Sequence, residues 1–308
     1  MIKSILIIGG LLMVLVQQFI LPSSVALQMI IFLCGIVLLG IPHGAADLLV
    51  AVHNANKNQK QFSKIYFFSS YLGRLAVFAF LIWIAPILGI VLFILFAAYH
   101  FGETDLHQFK TSTIAGKSFV ISYGLLIISI ILLNQFESVV PLLEQMDFVS
   151  GNHPAVQWIS DHRYSILTGI GTIFFISTFV YFYQSQQVED NKGRFLLQLV
   201  VILIIIYNLP MLLAFTFYFI IWHSVLSLKN IFSFLGDDGN FKVSLILKQI
   251  LIYSFLAIAG ITFIGIGGIM FLNNDTLLMY VFIGLAVLTA PHLEVMHDMY
   301  KNLRQSKG

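Results

Sequence analysis

The chain has 308 residues, 59% of them hydrophobic and 10% charged, and a mean hydropathy of +0.93. Soluble domains are about half apolar and a quarter charged, so this balance excludes a water-soluble globule and points to an integral membrane protein. A net charge of +2 scattered through short loops excludes a nucleic-acid-binding surface, and the single Cys34, inside an apolar run, excludes a disulfide framework or a thiolate metal cluster.

Pro, Gly, Asn and charged residues punctuate the chain into about ten helical segments, expected near 4–21, 25–50, 63–84, 86–106, 115–133, 163–184, 194–208, 210–233, 242–272 and 276–303. The first, with the apolar run Ile5 to Leu21, is longer than the core of a signal peptide and is expected to span. The seventh is short, and Pro210 separates it from the eighth. The longest polar interval, 134–162, contains ESVVPLLEQMDF, which reads as an interfacial helix or as a lid over a lipid-side entrance. The fold class is therefore all-α, a polytopic membrane helix bundle of about ten helices forming a single transmembrane domain over 1–308.

Charge distribution tests that count, because Lys and Arg collect in cytoplasmic loops. Lys3, then Lys57, Lys60 and Lys64, then Lys110 and Lys117, then Lys192 and Arg194, then Lys229, Lys242 and Lys248, then Lys301, Arg304 and Lys307 all fall on one side of the ten-helix arrangement. The other side holds Glu137, Glu144, Asp147, Asp161 and Asp275, with Arg163 as its basic residue. Both termini are expected in the cytoplasm.

Four of nine histidines sit deep in apolar segments: His43 in GIPHGAAD, His100 in AAYHFGETD, His223 in IIWHSVLS and His292 in TAPHLEV. Ionisable groups inside a spanning helix are costly and usually face the bundle interior for a purpose. All four lie on even-numbered helices, and at about 1.5 Å per residue their depths are roughly 20 to 27 Å from the outer helix ends. Four neutral nitrogen donors in one layer describe a metal site; imidazole suits iron, copper and zinc, and non-haem ferrous iron is the expectation here. Asp47, four residues after His43, and Glu103, three after His100, share their histidines' faces and are candidates to orient the imidazoles. Asp105 reads equally as a helix end at the interface. Pro42 and Pro291 should bend their helices just before the histidines, and Gly40 and Gly44 leave the second helix thin for a close approach. His53, His107, His153, His162 and His297 read as ordinary, and Trp222 reads as packing.

The motifs G-x-P-H-G-x-x-D, H-F-G-x-x-D, W-H-S and P-H, in this order on a polytopic background, resemble the Brp/Blh family of β-carotene 15,15′-dioxygenases over about residues 30–300. The resemblance implies iron(II)-dependent cleavage of the central double bond of β-carotene by O2, giving two retinals that supply a microbial rhodopsin. It further implies that His43, His100 and His223 bind the iron, in the cytoplasmic membrane, with substrate arriving from the lipid. Many relatives carry a second histidine one turn after W-H-S, where this chain has Ser227, so the fourth ligand position is assigned to His292. A transporter or permease with a histidine metal site is the reading from a different class. A desaturase-like or hydroxylase-like iron oxygenase is the other enzyme reading, although the H-x-x-x-H and H-x-x-H-H boxes of such enzymes are absent.

Overall fold

A computed structural model describes residues 1–144, 154–184, 189–236, 243–269 and 277–305, and the described residues form helices and no strand. In chain order the helices are α1 (Ile2–Ile20), α2 (Val25–Lys57), α3 (Lys64–Ile84), α4 (Pro86–Asp105), α5 (Ile114–Leu133) and α6 (Phe136–Glu144). They continue with α7 (Pro154–Gln184), α8 (Glu189–Asn208), α9 (Met211–Leu235), α10 (Val243–Ile269) and α11 (Leu277–Gln305). Ser24, Ser63 and Thr113 cap α2, α3 and α5 by accepting the N–H of Leu27, Tyr66 and Gly116. Pro86 and Pro154 each occupy the first turn, where no backbone donor is needed.

Nine of these helices are long and apolar enough to cross a membrane among the described residues. Their outward faces carry Phe19, Leu38, Phe80 and Phe175, while Asp47, Glu103, Asp105 and His43, His53, His100, His223 and His292 are turned inward. That inversion suits a chain whose solvent is hydrocarbon. The helix α8, Glu189–Asn208, begins with the charged sequence EDNKGR and continues as an apolar run from Phe195 to Ile206. At one end Lys192 donates to the carbonyl of Phe182; at the other, Asn208 accepts from Gln18 of α1, and Asn134 at the end of α5 donates to the carbonyl of Tyr207.

Both chain ends reach the same end of α4. Lys3 lies 5.9 Å from the centre of the Trp222 ring, which is bonded to Asp105, and Arg304 donates to Glu103 at 2.8 Å. That meeting is consistent with an even number of crossings, as the nine apolar helices and α8 together would give among the described residues.

Several boundaries differ from the sequence expectation. The helix α2 runs to Lys57 rather than 50, because Asn, Ala and Lys continue a helix beyond the apolar stretch, and α7 starts at Pro154 rather than 163. Phe136 and Val139 of α6 are buried against Val156 and Met211, and Arg163 pairs with Glu137, which ties α6 to α7. The later part of the interfacial segment, His153, Asp147, Asp275 and the expected ends near 242, 272 and 276 lie outside the described residues.

The tightest packing is between α4 and α5. A Cβ at Gly102 would meet the Val120 carbonyl oxygen at 2.1 Å, and one at Gly124 would meet that of Ala98 at 1.8 Å. Helices in lipid gain little from hydrophobic burial and associate through close backbone contact, which only small residues permit. This contact fixes α4, the helix that carries His100.

Candidate metal centre

The backbone around the histidines differs from helix to helix. On α2 the bend at Pro42 takes the form of a π-helical turn over Ile36–Gly40, in which the Ile41 N–H bonds the Ile36 carbonyl one residue further back than in an α-helix. The proline's missing donor is absorbed by that widening. On α9 a longer π-helical segment, Thr216–Ser224, contains both Trp222 and His223 and was not legible as such, since no proline lies within it. On α11, by contrast, the helix stays continuous through Pro291.

His43, His100 and His223 are buried, and each offers one nitrogen such that the three atoms lie within 4.8 Å of one another. The Nε2 atoms of His100 and His223 are 3.1 Å apart. The ring of His292 joins them, its centre 5.0 Å from that of His43 and 4.9 Å from that of His100, although its nitrogens lie outside the set of three. All four imidazoles named from the sequence therefore meet in one buried cluster, as the equal depths required.

The donor set fits a transition-metal ion. The Nε2 atoms of His100 and His223 face one another at 3.1 Å, and His292 Nε2 is buried without a partner, a costly condition that a bound cation would relieve. His292 Nδ1–H donates to Asp47 Oδ1 at 2.7 Å, while Asp47 Oδ2 accepts from the Tyr71 hydroxyl at 3.0 Å. That arrangement fixes the tautomer that leaves Nε2 bare, the usual setting of a ligating histidine.

The two candidate orienting carboxylates are corrected by the structure. Asp47 holds His292 and not His43, and the helix between them is interrupted at Ala46, where ψ is −9°. Glu103 does not reach His100; it accepts from Arg304 at 2.8 Å, from Tyr99 and from His297 at 3.0 Å. A guanidinium and a second helix's imidazole are stronger partners for a carboxylate than a neighbour three residues back.

The stretch Ile41–Ala45, which contains Gly44, packs against α10. No atom lies within 4 Å of where a Cβ of Gly44 would sit, and at Gly40 the nearest is its own helix's Ile36 side chain at 3.7 Å.

Asp105 and Trp222 do more than the sequence suggested. Asp105 is buried, and its Oδ2 accepts from the hydroxyls of Tyr123 at 2.6 Å and Tyr218 at 3.0 Å and from the Trp222 indole N–H at 2.9 Å. It thus pins the residue next to His223 to the helix that carries His100. The tyrosines and tryptophan, each needing an acceptor inside a membrane, were the signal that could have found it. The remaining histidines stay apart: His53 packs on Phe234, His107 donates to the Thr104 carbonyl, and His162 donates to that of Trp158.

Comparison with known proteins gives the family. The β-carotene 15,15′-dioxygenase family profile matches residues 34–300, which include all four histidines. A β-carotene 15,15′-dioxygenase from uncultured marine bacterium 66A03 is 26% identical over 275 residues, covering 86% of this chain and 92% of that protein. No solved structure matches the chain. The chain belongs to the β-carotene 15,15′-dioxygenase family and is a carotenoid-cleaving dioxygenase built as an all-α, multi-pass membrane bundle.

Proposed function

We propose that the enzyme cleaves the central 15,15′ double bond of β-carotene with O2, each carbon of that bond taking one oxygen atom, so that two retinals account for both atoms. The observation that carries this reading is the convergence of His43, His100 and His223 within 4.8 Å inside an apolar bundle. These three residues hold a ferrous ion, with His292 as the fourth donor and Asp47 and Tyr71 fixing its ring. Bound there, iron(II) supplies a centre at which O2 can be activated.

The chain's own contribution is placement and exclusion. Neutral imidazoles leave the ion's positive charge uncompensated, and the helices keep water from the cluster. A carotenoid dissolves in lipid and reaches the site sideways, so no aqueous pocket is needed. The whole chain, 1–308, acts as one transmembrane domain in the cytoplasmic membrane with both termini inside, and the retinal serves a rhodopsin.

Expression in cells that make β-carotene tests the reading: pigment is lost and retinal accumulates, with about one iron per purified chain. His43→Ala, His100→Ala, His223→Ala and His292→Ala each abolish cleavage and lower the iron content while the protein stays in the membrane. Unchanged pigment alongside folded, iron-loaded protein overturns the assignment.

A further inference from the structure

We propose that one ring-bearing arm of the carotenoid lies in an apolar cleft on the outer side of the histidine cluster, between α4 and α11 and roofed by α6. This deepens the dioxygenase reading and rests on it. The cleft, partly open to its surroundings, has a cavity volume of about 120 Å³ and is lined only by apolar side chains, among them Ile90, Phe93 and Ile94 of α4 and Phe282, Ile283 and Ala286 of α11. Val139, Leu142 and Leu143 of α6 close it from above.

An aromatic wall joins this cleft to the imidazoles. The Phe282 ring, which lines the cleft, is 5.2 Å from Phe215; Phe215 is 5.1 Å from Phe219; and Phe219 is stacked on His223 at 6.0 Å and lies 6.1 Å from His43. Such a surface suits a conjugated polyene, which offers a flat π-face and no polar atom.

Length matches as well. Ile94, Phe93 and Ile90 precede His100 by six, seven and ten residues, and Ala286, Ile283 and Phe282 precede His292 by six, nine and ten. At about 1.5 Å per residue the lining therefore stands roughly 9 to 15 Å from the histidine layer. The arm from the central double bond to a terminal ring has about nine bonds; at roughly 1.2 Å of advance per bond, as in an extended chain, it covers about 11 Å. With the central bond at the histidines, the ring falls in the cleft. The cleft thus sets where along the polyene the cut is made.

The test uses the full-length protein in detergent and two ligands, β-carotene and an apocarotenal that lacks one ring and ends about seven bonds, roughly 8 Å, from the same central bond. Ile283→Trp and Ile90→Trp, on different helices, fill the cleft beyond that shortened arm; Ile283→Phe is the milder variant if either does not fold. The expected result is a loss of at least tenfold in kcat/KM for β-carotene, with the apocarotenal within twofold of wild type and iron content unchanged. Binding measured without O2 follows the same split. Equal losses for both ligands, or no loss for either, overturn the proposal and leave the cleft to lipid acyl chains. Wild-type protein that binds β-carotene but releases no retinal defeats the dioxygenase reading, and the binding measurements then decide the cleft by themselves.

Discussion

Asp47 and Asp105 are both buried carboxylates beside the histidine cluster, and they act on different things. Asp47 holds one imidazole, so Asp47→Asn is expected to weaken iron retention by about 10–100-fold, the usual effect of removing such a partner. Metal analysis of protein dialysed against a chelator checks this, and an unchanged iron content in Asp47→Asn counts against His292 as a ligand. Asp105 gathers three donors onto one oxygen. Asp105→Ala leaves them buried without an acceptor, at about 1–3 kcal/mol each, so the melting temperature in detergent should drop sharply. Asp105→Asn retains an acceptor and should restore much of it. A loss of the same size in both variants would show that charge, not hydrogen bonding, is what Asp105 supplies. At this scale the sequence located the histidines well, because a buried imidazole in an apolar helix stands out. It paired the carboxylates wrongly, because helical spacing says who shares a face and is silent about the partners on other helices.

Among the elements, α4 and α9 carry much of the site, and each is shaped by something local. The approach of α4 to α5 depends on Gly102 and Gly124, whose missing Cβ atoms leave room for backbone carbonyls. Gly124→Val forces these helices apart; overpacking of this kind costs about 1–3 kcal/mol. The expected outcome is a lower melting temperature together with reduced retinal formation, since His100 moves with α4. Wild-type stability in that variant would mean the contact is looser than the backbone geometry implies. The π-helical segment of α9 turns Trp222 towards Asp105 and His223 towards His100 within two consecutive residues. Widened turns of this kind are uncommon and cluster at functional sites. The one on α2 could be anticipated from Pro42. The one on α9 has no comparable mark in the sequence and is imposed by what its side chains must reach.

For the whole molecule, the meeting of Lys3 and Arg304 at one end of α4 is consistent with an even number of crossings. Reporter tags at the two termini should therefore be accessible from the same side of sealed membrane vesicles, and an insertion near Asn134 from the other. Opposite accessibility of the termini would remove α8 from the set of spanning helices. Hydropathy and the alternation of basic loops were enough to establish an all-α bundle of about ten helices, because lipid tolerates little else and rewards long apolar runs. Equal depth along four helices was enough to bring four histidines into one layer, because the rise of a helix is constant. Which donors within that layer face one another, which carboxylate reaches which imidazole, and where an apolar cleft stays open beside them depend on helix rotation and on backbone irregularities. Those are settled by contacts between residues far apart in the chain, such as Asp47 with His292 and Asp105 with Trp222, and only the tertiary structure decides them.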